Sequence, residues 1–158
     1  MRRTEVDLAE ERARAVLGRW EQRPLGVVRA ESAAEFARAA GETDPRLVEP
    51  AHAAFRVHPM YVASLLRGEP GPQADELRPD GMYRDEVPGT DGLGVRLMAG
   101  GQEVRWIGEV RAGDRIEIRR ALTEVERKRA DLLLLTVDKQ FVAGRGSLVE
   151  VTERFIVR

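Results

Sequence analysis

Four side chains near the middle of the sequence could do acid–base chemistry: Glu42, Asp44, His52 and His58. Carboxylates and imidazoles transfer protons as general bases and acids. His52 and His58 are the only histidines in the sequence, which has no cysteine. The absence of cysteine excludes disulfide bonds, thiolate nucleophiles and zinc sites built on sulfur. Proton transfer is therefore the chemistry that these residue types leave open.

Each of the four side chains also has a structural role open to it. Glu42 follows a predicted helix end, where a solvated carboxylate is common, and Asp44 precedes a proline, where its side chain often caps the next turn. A lone histidine such as His52 is usually not catalytic, and His58 could cap the helix that follows it. From the residue types alone, both interpretations stay open.

Composition limits the protein classes to which the chain could belong. The 158 residues, 42% hydrophobic and 34% charged, fit one soluble domain of ordinary size. The longest apolar run, Leu132 to Leu135, is far shorter than the roughly 20 residues that span a bilayer, and the acid-rich start is no secretory signal. The 26 basic and 27 acidic residues give no argument for nucleic acid or an anionic membrane. We therefore expect a cytoplasmic protein with neither as a partner.

Two helices are predicted before the candidate residues. Residues 1–23 carry an amphipathic helix over about 5–20, because apolar side chains recur at helical spacing. A second helix begins at the capping box formed by Ser32 and Glu35 and runs to Ala40. Gly41 ends it, since glycine readily takes the left-handed conformation. The helix positions of the first segment are Val6, Ala9, Ala13, Val16, Leu17 and Trp20.

A third helix and a long loop follow the candidate residues. The third helix runs from Pro59 to Arg67 and ends at Gly68, and its mostly apolar sequence is typical of a helix buried on nearly every side. Residues 70–92 are rich in proline, glycine and acids and show little periodicity. A loop of that kind is either a functional lid, an interface loop or a mobile segment.

The sequence after Gly100 predicts four strands joined by short turns, and therefore an antiparallel meander. The third strand begins with Leu132 to Leu135, which is apolar on both faces and predicts a central strand with a second cover from an oligomer. An α+β hot-dog fold satisfies these elements: a long antiparallel sheet wraps around a central helix, with an added N-terminal helix. Residues 24–158 would form this one domain. The main alternative is the cone-shaped α+β fold of small polyketide cyclases. The predicted strands are Gln102 to Arg111, Arg115 to Val125, Leu132 to Val142 and Leu148 to Val157.

Three segments together resemble a known enzyme family. The segment Phe36 to Pro45 resembles the active-site loop of MaoC-like hydratases and dehydratases. Ala99 to Trp106 and Val110 to Arg115 resemble a strand and turn of that family's N-terminal branch, which is similar to the fungal fatty acid synthase dehydratase. The resemblance covers about 24–158. It implies a hot-dog fold acting on thioesters of coenzyme A or acyl carrier protein, with no metal and no cofactor.

The resemblance also implies a mechanism from which this sequence departs. In active members the loop reads Gly-Asp-x-Asn-Pro, one apolar residue, then His, and the aspartate and histidine hold one water and move its proton. Here Glu42 stands at the aspartate position, Asp44 at the asparagine position and Leu47 at the histidine position. Leucine cannot transfer a proton. Glu42, with His52 or His58 as the imidazole, is therefore the remaining candidate for catalysis.

The same resemblance implies the residues that contact the substrate. A backbone N–H at the start of the central helix polarises the thioester carbonyl in the family. His58, Pro59 and Tyr61 lie at that helix start, and Asp44 lies in the preceding loop. Two adjacent glycines are predicted to allow a bulge or a close backbone approach. These glycines are Gly100 and Gly101.

Three hypotheses for the function follow. The first is a hot-dog subunit of an (R)-3-hydroxyacyl thioester dehydratase or enoyl thioester hydratase complex, which shapes the acyl pocket while a catalytically intact partner supplies the aspartate and histidine. The second is a homodimeric hot-dog thioesterase or unconventional dehydratase that uses Glu42 with His52 or His58. The third is a non-catalytic module that binds an acyl thioester or a partner.

Overall fold

The computed structural model describes residues 3–68 and 71–158. Residues 1 and 2 of the predicted N-terminal segment and residue 70 of the predicted loop lie outside the described residues. A five-stranded antiparallel sheet carries helices on one face, which confirms the α+β hot-dog fold with an N-terminal helix. The helices are α1 (Glu5–Val16), α2 (Ala30–Ala39), α3 (Pro45–Val48) and α4 (Tyr61–Ser64), and one 3-10 turn spans Ala74–Glu76. The strands are β1 (Glu21–Val27), β2 (Leu97–Trp106), β3 (Arg115–Arg129), β4 (Leu132–Ala143) and β5 (Gly146–Val157).

Helix α1 begins at a capping box and ends earlier than its sequence pattern predicts. The Thr4 hydroxyl accepts the Asp7 N–H at 3.2 Å, and the Asp7 carboxylate accepts the Thr4 N–H at 2.9 Å. The helix stops at Val16 because Gly18 adopts a positive φ of 74° and donates its N–H to the Leu122 carbonyl at 2.8 Å. The predicted continuation to residue 20 is therefore wrong.

Helix α2 starts without the predicted capping box. It begins at Ala30, after Arg29, which makes no side-chain cap, so Ser32 lies inside the helix. The cause is a tertiary constraint, since Val28 exchanges backbone hydrogen bonds with the 113–114 turn and the chain enters the helix directly after it. The predicted end is right, because Gly41 has a φ of 87°.

Helix α4 is a single turn rather than the predicted helix from Pro59 to Arg67. The Ser64 hydroxyl donates to the Tyr61 carbonyl at 2.6 Å, and the next N–H groups make hydrogen bonds three residues back, which tightens the helix end. Tyr61 and Val62 are buried, whereas Ala63 and Ser64 are exposed. The expectation of a helix buried on nearly every side is therefore wrong.

The strand order is β1-β3-β4-β5-β2, so the predicted four-stranded meander holds only for β3, β4 and β5. Strand β2 ends at Trp106 and pairs with β5, and β1 takes the position beside β3. The connection 107–114 must cross three strand spacings, or about 15 Å, which eight residues easily span. Strand β4 is central, as predicted.

Two apolar clusters lie on the inner face of the sheet. The first packs α2 and α4 against residues such as Ile118, Phe141 and Val149. The second packs α1 and the 87–97 segment against residues such as Leu133, Leu135 and Phe155. Charged side chains of Arg120, Lys139 and Glu153 lie at the strand positions between the two clusters.

Residues 71–92, in the segment predicted as a long loop, pack against the inner face of the sheet. Val87 and Thr90 are fully buried, and the Arg78 guanidinium donates to the carbonyls of Thr90 and Val95 at 3.1 and 2.7 Å. The loop also brings Glu86 to the charged side chains between the clusters, where its carboxylate lies 3.0 Å from the Lys139 ammonium. It thus forms part of the core rather than only a connection.

Candidate active site

The side chains of Glu42 and His58 meet at the surface end of the first apolar cluster. Glu42 follows the left-handed Gly41 and donates its N–H to the Ala37 carbonyl at 3.0 Å, which fixes its backbone at the end of α2. Its Oε1 lies 3.5 Å from Nε2 of His58. The imidazole is largely buried and the carboxylate is partly exposed, so the pair faces solvent on one side.

The orientation and tautomer of the His58 ring are set by its neighbours. The Met60 N–H donates to His58 Nδ1 at 3.1 Å, and the Phe36 ring packs against the imidazole with centroids 5.4 Å apart. Because Nδ1 accepts a hydrogen bond, the proton of the neutral ring lies on Nε2, the atom nearest to Glu42. The imidazole therefore directs an N–H donor toward the carboxylate.

A cavity of about 510 Å³ opens over this pair. Leu47 is 8% exposed and forms part of the cavity wall. An adjoining groove of about 430 Å³ is mainly apolar and shares Val57, Pro59, Trp106 and Glu109 with the cavity. The cavity is lined by Glu42, Leu47, Arg56, Val57, His58, Pro59, Met60, Trp106 and Glu109.

Asp44 caps helix α3. Its carboxylate accepts the Arg46 N–H at 2.9 Å and pairs with the Arg46 guanidinium at 2.6 Å, and Arg56 lies 3.8 Å away. The hydrogen bonds from Arg46 lower the pKa of Asp44 to about 2. Asp44 is not among the residues that line the cavity. Its position therefore fits the structural interpretation rather than substrate contact.

The structure does not bring His52 to Glu42. His52 Nδ1 accepts the Ala54 N–H at 3.0 Å and caps a turn, and the side chain is not part of the cavity wall. Tyr61 is buried with its ring edge-on to Phe36, at a centroid distance of 5.8 Å, and it also lies outside the cavity wall. Of the four candidates His52, His58, Pro59 and Tyr61, the cavity wall includes His58 and Pro59.

Gly100 and Gly101 lie at a bulge in β2, where the register with β5 shifts between Ala99 and Gly101. Gly101 has a φ of 137°, and a Cβ on Gly100 would lie 3.2 Å from the Arg154 carbonyl oxygen. The two glycines therefore shape the strand and do not line the cavity over Glu42 and His58.

The cavity contains residues that the sequence pattern did not single out as site residues. Trp106 alternates in phase with Val104, which favours core packing over ligand stacking, yet the residue is 54% exposed and lines the cavity. The core expectation is wrong because β2 is an edge strand that ends at Trp106. Arg56, Met60 and Glu109 also line the cavity and carried no signal in the sequence.

The first two N–H groups after Pro59 are already engaged. The Met60 N–H donates to the His58 ring, and the Tyr61 N–H donates to the His58 carbonyl at 3.0 Å. These groups are therefore committed to holding His58 in place rather than to polarising a thioester carbonyl.

The arrangement of Glu42 and His58 can hold and deprotonate a water or a hydroxyl group. The carboxylate accepts a proton, and the Nε2–H of His58 donates a hydrogen bond to the same oxygen. Among residues 3–68 and 71–158, no three His, Asp or Glu side chains converge to hold a metal ion. Within the same residues, no helix has the length and hydropathy to cross a membrane.

The comparisons with known proteins identify the fold and a matching family. A family model described as the FAS1-like, dehydratase domain region matches residues 15–151. A comparison with curated protein sequences finds no match. A MaoC-like dehydratase from Phytophthora capsici is similar in structure, with a TM-score of 0.66 and 17% identity over 92% of this chain. The present chain spans 50% of that longer chain.

Two further solved structures are similar over nearly their whole length. The ChsH1-ChsH2 complex from Mycobacterium tuberculosis has a TM-score of 0.63 and 15% identity, covering 96% of this chain and 89% of the other. The (R)-hydratase from A. caviae involved in PHA biosynthesis has a TM-score of 0.55 and 21% identity, covering 88% of this chain and 94% of the other. At these identities the structural likeness defines the fold.

Proposed function

Because the chain belongs to the family of FAS1-like dehydratase domain regions, we propose that it interconverts enoyl thioesters and (R)-3-hydroxyacyl thioesters by adding or removing water. Glu42 and His58 handle the proton in this proposal. The observation that carries it is the 3.5 Å separation of Glu42 Oε1 and His58 Nε2 at the wall of one cavity. The pair supplies the carboxylate and imidazole that the reaction needs, although Leu47 occupies the family's histidine position.

In the hydration direction, Glu42 removes one proton from a water molecule while the water oxygen bonds to C3 of the enoyl thioester. The Nε2–H of His58 holds that oxygen through a hydrogen bond. The C2–C3 double-bond electrons move toward the thioester carbonyl, and Glu42 returns the proton to C2. The atoms of one water are thereby added across the double bond, and both side chains regain their starting protonation states.

The thioester of coenzyme A or acyl carrier protein is the proposed substrate, and the proposed reaction needs no cofactor. The mainly apolar groove beside Trp106 adjoins the cavity over the pair. A pantetheine arm is long, narrow and mostly uncharged, which suits a groove of this kind. The proposal therefore places the arm along Val57, Pro59 and Trp106.

The test is hydration of crotonyl-CoA by the purified chain, followed by the loss of enoyl thioester absorbance. Glu42→Gln removes the base, and His58→Asn removes the Nε2–H while offering an oxygen to the Met60 N–H. We expect each variant to lower kcat by about a hundredfold or more. His52→Gln is the matched control and should retain wild-type kcat, since His52 lies outside the cavity wall. Wild-type rates in both site variants would contradict the proposal.

A second candidate function is favoured by Leu47. Leucine is buried at this position, where the resemblance implies a proton carrier. In this second candidate the chain would shape the acyl pocket beside a partner chain that supplies aspartate and histidine. The similar ChsH1-ChsH2 structure is a complex of two different chains. In this case the isolated chain would be inactive, a catalytically intact hot-dog partner would restore turnover, and Glu42→Gln would leave the restored rate unchanged. Binding of an acyl thioester without turnover under either condition would indicate a non-catalytic module.

A further inference from the structure

A band of charged side chains crosses the inner face of the sheet. Arg120 on β3 lies directly opposite Lys139 on β4, and Glu153 on β5 is diagonal to Lys139. Gln102 on the edge strand β2 lies opposite Glu153 and donates to its carboxylate at 2.8 Å. The band separates the apolar cluster under α2 and α4 from the cluster under α1.

Lys139 is the centre of this band. Its ammonium is 2.6 Å from the Glu153 carboxylate and 3.0 Å from that of Glu86, and the residue is only 6% exposed. Glu86 also pairs with the Arg67 guanidinium at 2.7 Å. These groups form an ionic cluster in which three basic side chains (Arg67, Arg120 and Lys139) balance three acidic ones (Asp85, Glu86 and Glu153).

Glu86 is held in its charged form within the ionic cluster. Burial raises the pKa of Glu86, but the nearby Lys139 ammonium and Arg67 guanidinium outweigh burial and hold this pKa below its ordinary value. Arg120 donates to the backbone carbonyls of Asp85 and Glu86, while its Nε atom is buried without a hydrogen-bond partner. The cluster is therefore a polar surface, although it lies inside the fold.

Lys139 and Glu153 of the ionic cluster line a second cavity, next to the one over Glu42 and His58. The cavity over that pair shares Pro59 and Met60 with a second cavity of about 70 Å³ between α4 and the sheet. Val62, Phe141 and similar side chains line most of the second cavity, but Lys139 and Glu153 form part of its wall. A third cavity of about 320 Å³, lined mostly by charged residues, shares Leu66 and Lys139 with the second one.

We infer that the ionic cluster is the far wall of the acyl cavity and restricts the enzyme to short acyl chains. The inference rests on the proposed function, because it takes the acyl chain inward from Glu42 and His58. A short chain fits among the apolar side chains of the small cavity. A long alkyl chain would have to lie against Lys139 and Glu153 or separate them, and apolar groups do not replace the hydrogen bonds that these charges need.

The experiment compares kcat/KM for crotonyl-CoA and trans-dodecenoyl-CoA with the full chain. We expect the wild-type enzyme to favour the short thioester by at least about tenfold. The double variant Lys139→Met, Glu153→Gln removes one charge of each sign and leaves Glu86 paired with Arg67. We expect it to reduce the preference by about tenfold, whereas Lys139→Arg, the matched control, retains the charge and the preference. Thermal unfolding establishes that each variant is folded.

The outcomes separate this inference from the proposed function. Equal turnover of both thioesters by the wild-type enzyme would overturn the inference that the ionic cluster restricts chain length, and so would an unchanged preference in a folded double variant. Either result would leave the proposed function unaffected. Failure to turn over any thioester would contradict the proposed function. In that case calorimetric binding of the two thioesters measures the chain-length preference directly, and tighter binding of the long-chain thioester overturns the inference about the ionic cluster. If the double variant does not fold, Glu153→Gln alone provides the comparison, because Lys139 then keeps its ion pair with Glu86.

Discussion

Oε1 of Glu42 lies 3.5 Å from Nε2 of His58, although Glu42 precedes helix α3 in the sequence and His58 follows it. The end of α2 positions the carboxylate, and the start of α4 positions the ring. The resemblance to the MaoC-like active-site loop implies a carboxylate and an imidazole closer together in sequence, at the positions of Glu42 and Leu47. Here the imidazole reaches the same cavity from the other side.

This relationship predicts that the family's own pair can replace the pair seen here. In a His58→Asn background, Glu42→Asp together with Leu47→His places aspartate and histidine at the family's positions, on the wall of the same cavity. We expect the kcat of this triple variant to be at least about tenfold higher than that of His58→Asn, because a carboxylate and an imidazole again face one water. Crotonyl-CoA hydration measures the rate.

The control for this prediction is His58→Asn with Glu42→Asp alone, which lacks the imidazole at position 47 and should have a kcat no higher than that of His58→Asn. Recovery in the control as well would mean that an imidazole is not needed. No recovery in a folded triple variant would mean that the cavity wall at Leu47 does not face the reacting atoms.

The sequence predicted some local features of the fold, such as the end of α2, and missed others, such as its start. Gly41 ends α2 because only glycine takes that backbone conformation freely, and the family match over residues 15–151 confirms the resemblance first seen in three short segments. Strand pairing could not be predicted in the same way. Whether β2 lies beside β3 or β5 depends on where the 107–114 connection leaves the sheet, and residue types near Trp106 do not encode this.

A close backbone approach predicts that Gly89 is required for stability. A Cβ at this position would lie 2.7 Å from the Ala13 nitrogen and 2.8 Å from the Ala9 carbonyl oxygen of α1, and the φ of Gly89 is 84°. We expect Gly89→Ala to lower the free energy of unfolding by about 3 kcal/mol, since overpacking and backbone strain add. Chemical denaturation gives the value.

Gly92 offers a matched control for the effect of strain alone. Its φ is 73°, but a Cβ there meets nothing within 4 Å. Gly92→Ala should cost about 1 to 2 kcal/mol from the left-handed backbone alone. If the two variants lost the same stability, the packing of Gly89 against α1 would not be a source of stability.

The candidate site shows why some of its residues could not be predicted. His58 had two interpretations from its sequence position, as a cap or as a functional group, and in the structure its Nδ1 accepts the Met60 N–H while its Nε2 faces Glu42. Lys139 and Glu153 interrupt the apolar faces of β4 and β5, but pairing between them needs the diagonal register that only the folded sheet supplies. A charged residue in an apolar strand therefore indicates a buried ion pair, but the sequence does not show which residue is its partner.

The cap at Asp44 predicts a specific dependence of stability on pH. Its pKa is about 2, below its ordinary value of 3.8, because Arg46 hydrogen-bonds the carboxylate. A carboxyl group with a lowered pKa in the folded state contributes stability that is fully present above its ordinary pKa and is lost as the pH falls through the folded value. Asp44→Asn should therefore be less stable than the wild type at neutral pH, with the difference shrinking as the pH falls below about 4.

Asparagine keeps the capping oxygen, so this comparison isolates the charge. Urea denaturation of both proteins between about pH 7 and pH 3 measures the difference. A difference that stayed constant across this range would show that ionisation of Asp44 does not contribute to stability.

The edge of the sheet predicts that the chain forms a dimer through β2. Among the described strands, β2 pairs only with β5, so its other edge has no partner strand in this chain. Ile107, directly after β2, is 50% exposed, and Trp106 and Met98 are also exposed apolar side chains. An open, partly apolar edge favours pairing with another sheet.

We expect the purified chain to sediment as a dimer and Ile107→Glu to shift it toward monomer. Val16→Glu, which changes an exposed apolar residue on α1, should leave the dimer intact, and a dimer equally stable in both variants would exclude this edge as the interface.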